Sequence, residues 1–287
     1  MNPLFEKRPS QVLFEKALTA RLGGKVFWDC VSELRRRGTR EIFLTAKELC
    51  LSNNQHRRCL GIDVLCQLRT EDPNLQKTPS SHNTRPVFVQ ESIRLIRPFL
   101  SDRRIEVLTS AIYALGHMND PKRAKLLSHL STHRNRDVRH AIATALGSGG
   151  GPLGRQILIN LSADKDPEVR NWATFGIGTL SETNSVAVRE ALAKRLHDRC
   201  KDARYEAIVG LAKRKDPRAI EHILHDLKTT NPRVFTLDAA REFGHPIFLL
   251  LLKAQWKTAR KEKLTDSYWG AQLKDAITAC EQGRQLR

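Results

Sequence analysis

Apolar residues recur with helical spacing along most of the chain, and one pattern returns after 31 residues, first in segment 137–147 and then in segment 168–178. The stripe in the first segment consists of Val138, Ala141, Ile142, Ala145 and Leu146. Residues spaced in this way lie on one face of a helix. Self-similarity at a period of about 30 residues is typical of stacked repeat arrays. The pattern therefore predicts an all-α fold, a right-handed α-solenoid of about six helical hairpins.

Proline and glycine divide this pattern into units. Prolines are predicted to open first helices, where the missing N–H costs nothing; they are Pro121, Pro152, Pro217 and Pro246. Glycines stand where second helices are expected to end, in positions suited to a left-handed C-cap; they are Gly116, Gly147 and Gly178. Ser10 is predicted to cap the first helix of the chain.

The domain organisation follows from where the repeat is clear. Residues 51–255 are predicted to form the repeat array, with a helical cap at 1–50 and another at 256–287. Within the array, residues 70–86 are rich in Thr, Asp, Pro and Ser, which predicts an insertion loop.

Composition narrows the chemistry without naming a partner. The 287 residues carry a formal net charge of +18 that no single tail holds, and such a field attracts polyanions. The six cysteines form no C-x-x-C pair, which favours a reducing, cytoplasmic compartment. No apolar run approaches the length of a membrane-spanning helix, and no apolar leader stands at the N-terminus, so neither membrane insertion nor secretion is expected.

Two acid–base pairs carry a family resemblance. Asp164 and Arg170 are six residues apart, and Asp198 and Arg204 repeat that relation. Together with the motif of residues 166–176, they resemble the HEAT-repeat family, in particular the phycobilisome-lyase-like repeats of bacterial proteins, over about residues 90–255. The resemblance implies second helices that line a concave surface, and a structural ladder of ion pairs formed by these four residues. Members of the family commonly act as binding scaffolds.

The candidate binding residues on that concave face are Arg139, His140, Arg170, Asn171, Trp172 and Arg204. The arginines recur from repeat to repeat, whereas Trp172 has no aromatic counterpart in the other copies. We expect a non-enzymatic scaffold whose partner is the acidic surface of another protein. The alternative is a nucleic-acid-binding solenoid, since aromatic and cationic side chains together can stack on bases and contact phosphates. Its more specific form is a repair protein that resembles the HEAT-like alkylpurine DNA glycosylases.

Sequence motifs for catalysis are missing. The chain has no His-Glu dipeptide of the kind that holds iron in deoxyhypusine hydroxylases, no residues that mark a bilin site, and neither a P-loop nor an H-E-x-x-H motif. His129 with His133, and His222 with His225, lack repeated carboxylate partners for a metal. The sequence therefore predicts no catalytic, cofactor-binding or metal-binding residue, and it leaves enzymatic activity undecided.

Overall fold

The computed structural model describes residues 8–72, 84–147 and 149–285. The chain divides into two compact units, Met1–Ala145 and Leu146–Arg287. Helices of the first unit are α1 (Ser10–Thr19), α2 (Lys25–Arg37), α3 (Arg40–Cys50), α4 (Gln55–Leu65), α5 (Val89–Ile96), α6 (Ile105–His117), α7 (Arg123–Leu127) and most of α8 (Arg136–Gly147). Helices of the second unit are α9 (Gly151–Leu161), α10 (Pro167–Gly178), α11 (Val186–Ala193), α12 (Lys201–Lys213), α13 (Arg218–Leu227), α14 (Val234–Phe243), α15 (Leu249–Lys261) and α16 (Tyr268–Gln285).

In the first unit, helices pair as hairpins and the second helix of each hairpin packs on the next. Helix α1 packs on α2, and α3 packs on α4; helices α2, α4 and α6 then contact one another in series. Large apolar side chains such as Phe27, Leu60 and Ile112 fill the space between them and are fully buried. Helix α5 continues into a 3₁₀ turn, Arg97–Ser101, because Pro98 cannot donate the next helical hydrogen bond.

Two short strands flank part of the predicted insertion loop. β1 (Arg69–Glu71) and β2 (Thr84–Pro86) pair as an antiparallel ladder, in which Thr70 lies opposite Arg85. The centre of the predicted loop, residues 73–83, lies outside the described residues. The described part of this segment is therefore a two-stranded antiparallel ladder in an otherwise helical unit.

In the second unit the same arrangement is more regular. Helices α10, α12, α14 and α16 pack on one another in order, while α9, α11 and α15 pack against the helices that follow them. Ser185 caps α11, since its hydroxyl accepts a hydrogen bond from the Val188 N–H. Pro152 lies in the first turn of α9, and Pro246 lies in the first turn of a 3₁₀ segment. The sequence repeat thus corresponds to a layer of second helices with first helices packed on it.

The predicted left-handed glycine caps are wrong. Gly116, Gly147 and Gly178 are all within helices and have no positive φ. Their missing side chains instead let second helices touch: a methyl carbon added at Gly116 would lie 2.6 Å from the Cα of Ala145, and one added at Gly210 would lie 2.6 Å from the Cα of Gly178. Such distances leave no room for a side chain, so these glycines set how closely the helices approach.

Two predicted helix starts also differ from the structure. Ser10 is the first residue of α1 and makes no capping hydrogen bond, because the N-cap position is taken by Pro9. Pro121 opens only a turn: the helix that follows, α7, spans five residues and passes into a 3₁₀ turn, Ser128–Leu130.

Candidate binding surfaces

Arg170 joins two successive repeats of the second unit. Its Nε donates to Oδ2 of Asp198 and its Nη2 donates to Oδ1, both at 2.8 Å. Its remaining terminal nitrogen, Nη1, donates to the backbone carbonyls of Asp164 at 2.9 Å and Lys165 at 3.1 Å. A planar guanidinium is suited to such two-pronged pairing with a carboxylate. Arg170 is therefore occupied by a bridge between repeats and by the turn before its own helix.

The six-residue spacing has its own structural reason. Arg139 donates to the carbonyls of His133 at 2.8 Å and Arg134 at 3.1 Å. Arg204 donates from Nη1 to the carbonyls of Asp198 and Arg199. In all three repeats the arginine thus binds the carbonyls six and five residues before it, which satisfies two polar groups of the turn. The six-residue spacing therefore reflects this contact with the backbone. The carboxylate of Asp198 pairs instead with Arg170 of the preceding repeat.

Asp198 is nearly buried and strongly held. Besides Arg170, it accepts from Arg195 Nη1 at 3.0 Å and from the Cys200 N–H at 2.9 Å. Burial acts to raise the pKa of Asp198, but these hydrogen bonds and the two guanidinium charges outweigh it and lower the pKa overall. Asp198 is therefore a fixed negative charge of the repeat array.

The other predicted binding residues lie in different surroundings. Trp172 is 36% exposed and meets the ring of Phe175 edge-on at 5.9 Å, while Asn171 beside it is half-buried. His140 belongs to the first unit, where its Nδ1 and the Tyr113 hydroxyl form a 2.8 Å hydrogen bond. Within the second unit, Arg170, Asn171 and Trp172 share α10 and Arg204 lies on the adjoining α12.

A second cluster surrounds Tyr205, and of its members only Arg204 is among the binding residues predicted from sequence. We call Arg204, Tyr205, Arg233 and Phe235 the Tyr205 cluster. The rings of Tyr205 and Phe235 stack at 5.9 Å with planes 18° apart, and the guanidinium carbon of Arg233 lies 5.2 Å from the Tyr205 ring centroid. Tyr205 and Phe235 are 30 residues apart, so an aromatic pair at the repeat period was the available signal.

The charges of the Tyr205 cluster differ from those around Arg170. Among the described residues, no carboxylate lies within ion-pair distance of Arg204 or Arg233. Asp202, one turn away, is exposed. Glu206 is buried instead, and it accepts a 2.6 Å hydrogen bond from the Thr179 hydroxyl. The cluster therefore presents the Arg233 guanidinium over a stacked aromatic pair, and the adjoining residue Arg204 adds a second positive charge.

The first unit contains a cleft of about 490 Å³ between α2, α4 and α6. Its polar lining consists of Arg35, Asp63, Glu106, Thr109, Ser110, Tyr113 and His117. The indole of Trp28 forms part of the wall, and the Arg35 guanidinium carbon lies 5.6 Å from its ring centroid. The available sequence signal was a charged residue inside an apolar run, since Asp63 stands between Ile62 and Val64.

Asp63 is the unusual group of this cleft. It is only 8% exposed, and burial raises the pKa of its carboxyl to about 7, with the Arg35 charge and the nearby Ser110 hydroxyl opposing that rise. Arg35 does not pair with the carboxylate: its Nε donates to the backbone carbonyl of Asp63 at 2.7 Å, and its Nη1 donates to Gln67 at 3.2 Å. The carboxyl thus lines a cavity without a cationic partner.

The thiols in the cleft are unsuited to nucleophilic chemistry. Burial raises the pKa of Cys59 and of Cys66 to about 12, so both are protonated near neutral pH. Across the part of the chain that the structure describes, no three His, Cys, Asp or Glu side chains are grouped to hold a metal ion. None of the helices in that part is long and apolar enough to cross a membrane.

The helical hairpins and the repeated arginine contacts agree with the comparisons. Residues 154–243 match the family of HEAT repeats. Residues 154–243 are therefore HEAT repeats, and the fold of the chain is of the all-α solenoid class.

The chain is also similar to a bacterial protein and to solved structures. The chain is similar to protein YibA of Escherichia coli strain K12, with 27% identity over 229 residues that cover 76% of this chain and 75% of YibA. The X-ray structure of E. coli YibA matches with a TM-score of 0.71 and 23% identity, over 97% of this chain and 94% of that one. An engineered protein matches with a TM-score of 0.52 and 16% identity, over 96% and 79%. At such identities the solved structures show the fold alone.

Proposed function

We propose that this HEAT-repeat protein is a non-enzymatic binding scaffold whose second-helix face, within residues 146–287, receives an acidic segment of a partner protein. The Tyr205 cluster is the observation that carries the proposal. It combines two arginines that have no acidic partner among the described residues with two stacked aromatic rings. Arginine and tyrosine are the residue types that most often dominate binding energy at protein interfaces.

The chemistry of the cluster favours carboxylates together with apolar side chains. A guanidinium group can donate two parallel hydrogen bonds to one carboxylate. The Tyr205 and Phe235 rings offer a flat apolar surface next to the Arg233 guanidinium, and Phe235 is 41% exposed. A segment that alternates acidic and aromatic or aliphatic residues would satisfy both features.

The nearest acidic side chains reduce this attraction only in part. Asp202 is exposed and offsets one positive charge, whereas burial and the hydrogen bond from Thr179 keep Glu206 out of the surface. Two guanidinium groups against one exposed carboxylate leave the cluster positive. The net charge of +18 adds a longer-range attraction for acidic partners.

Binding of duplex nucleic acid has less support from these residues. Of the arginines predicted for such a surface, Arg139 is nearly buried in its turn and Arg170 is neutralised by Asp198. A duplex is held by many phosphate contacts along its length, and the Tyr205 cluster supplies two guanidinium groups. Nucleic acid is therefore the alternative outcome of the test.

The test uses a fluorescein-labelled peptide of alternating glutamate and phenylalanine, with fluorescence anisotropy as the readout. The double variant Arg204→Gln with Arg233→Gln is expected to bind about tenfold more weakly, because exposed charge contacts contribute about 0.5–1 kcal/mol each. The matched control is Lys257→Gln, which removes an exposed positive charge from α15 and should leave the affinity unchanged.

Three outcomes separate the alternatives. A peptide with glutamine in place of glutamate should lose most of its affinity, since it keeps the apolar contacts alone. Equal affinity of the wild type and the double variant would refute the proposal. In the third outcome the protein binds a labelled DNA duplex and not the peptide, with a log affinity that falls steeply as log salt concentration rises. That result would show that the ligand is nucleic acid.

A reducing, cytoplasmic compartment remains part of this proposal. All six cysteines are free thiols, and five of them are buried. Free buried cysteines are typical of proteins that fold where disulfides do not form.

A further inference from the structure

The cleft of the first unit is separate in residues and in chemistry from the Tyr205 cluster. Its 490 Å³ fall within the range of small-molecule sites. Its polar groups lie on α2, α4 and α6, and its apolar wall includes Trp28 and Leu22. A cavity of this size with mixed walls is suited to a small ligand that has one polar end.

Asp63 determines which polar end fits. A carboxylate that is more than nine-tenths buried normally has a cationic or multiple hydrogen-bonding partner. In the described part of the chain no Lys, Arg or His nitrogen lies within ion-pair distance of it, because Arg35 directs Nε to the Asp63 backbone carbonyl instead. The carboxyl faces the cleft with the Ser110 hydroxyl beside it.

The other groups of the cleft complete a site for an ammonium ion. Glu106 lies exposed at the rim and adds a second carboxylate. Tyr113 and Trp28 add aromatic rings, whose faces attract cations. Desolvation in the cleft and the Arg35 charge lower the pKa of His117, so that side chain is neutral near pH 7. Hydroxyl, carboxylate and aromatic groups together match the three donors of a primary ammonium group.

We propose that this cleft binds a small primary amine in its ammonium form, with the Asp63 carboxylate as the ion-pair partner and Glu106 at the entrance. The carbon skeleton of the amine packs against Trp28 and Leu22. Long-range repulsion from the net positive chain opposes any cation, so the affinity depends on the short-range, desolvated pair with Asp63.

The ion pair between Asp63 and the ammonium group makes amine binding depend on pH. The titratable and charged groups that interact with Asp63 or line the cleft with it are Arg35 on α2, Cys50 on α3, Cys59 and Cys66 at α4, and Glu106, Tyr113 and His117 on α6. The thiols are protonated throughout the neutral range. Because the free Asp63 carboxyl has a pKa of about 7, the ionised fraction, and with it the affinity for an amine, falls about tenfold between pH 8 and pH 6. Protonation of His117 at low pH acts in the same direction.

Isothermal titration calorimetry of the full chain with butylamine and with 1,4-diaminobutane tests the proposal, and butanol is the neutral control ligand. Both amines should bind and butanol should not. Asp63→Asn keeps the shape of the side chain and should weaken amine binding at least tenfold at pH 8. The control Glu91→Gln removes an exposed carboxylate from α5 and should change nothing.

Two results would overturn the proposal: amine affinity that is the same in Asp63→Asn and wild type, or no binding of either amine to the wild type at millimolar concentration. If Asp63→Asn does not fold, the wild type alone decides. Its affinity must fall from pH 8 to pH 6, and a flat profile would rule out Asp63 as the partner.

Discussion

Arg170 and Arg204 occupy the same place in consecutive repeats, yet their side chains make different contacts. Both bind the carbonyls of the turn before their own helix. Arg170 then reaches the carboxylate of Asp198 in the following repeat, 28 residues away. The residue at the same distance from Arg204 is Pro232, which offers no carboxylate. The recurring arginine thus forms an ion pair where the following repeat supplies an acid, and it contacts only backbone carbonyls where that repeat supplies none.

The largest effect expected from this difference is on stability. Asp198→Ala should lower the free energy of unfolding by about 3 kcal/mol, because it leaves Arg170 and Arg195 without their shared carboxylate in a nearly buried place. Urea unfolding followed by far-UV circular dichroism measures the change. Asp275→Ala, which removes an exposed acid of α16, is the control and should cost about 0.5 kcal/mol at most. Equal effects of the two variants would mean that the bridge between repeats contributes nothing.

A smaller effect is expected on stability at low pH. The folded-state pKa of Asp198 is lowered, so its contribution to stability is complete above the unfolded pKa of about 3.9 and is lost as the pH falls through the folded value. The stability difference between wild type and Asp198→Asn should therefore narrow as the pH is lowered from about 4. The same urea curves at several pH values test this. A difference that stays constant down to pH 2 would contradict the role of the carboxylate charge.

The smallest effect on stability is expected from substitution of Arg204. Arg204→Gln should lower the free energy of unfolding by about 1 kcal/mol or less, since only backbone carbonyl contacts are lost and the carbonyls can turn to water. A loss above about 2 kcal/mol in the same unfolding assay would show that Arg204 is as structural as Arg170. It would then remove the contrast on which the proposed binding face depends.

The repeat and its helices could be predicted from sequence because periodic apolar residues report directly on which face is buried. The recurrence of arginine was also visible. Its partner was not, because a six-residue spacing is met equally by a carboxylate and by a carbonyl, and Arg170 in fact reaches the acid of the following repeat. The residue types alone do not distinguish these contacts.

The candidate sites were harder to predict for a different reason. Arg233 and Phe235 become significant only when α14 packs beside α12 and brings Phe235 onto Tyr205. The cleft around Asp63 lies in the part of the chain where the repeat is least regular, so no comparison between copies could reveal it. Both depend on contacts between helices, which a single sequence does not specify.

The glycine contacts between second helices limit how such an array can be rebuilt. A methyl carbon added at Gly210 would lie 2.6 Å from the Cα of Gly178, and one added at Gly176 would lie 3.0 Å from the Cα of Gly147. Duplication or deletion of one repeat in the gene would therefore join helices that fit only if residues as small as Gly176 and Gly210 stand at the new junction. The repeats are modules with specific junctions, and recombination that separates a glycine from its counterpart would yield a chain whose neighbouring helices no longer fit.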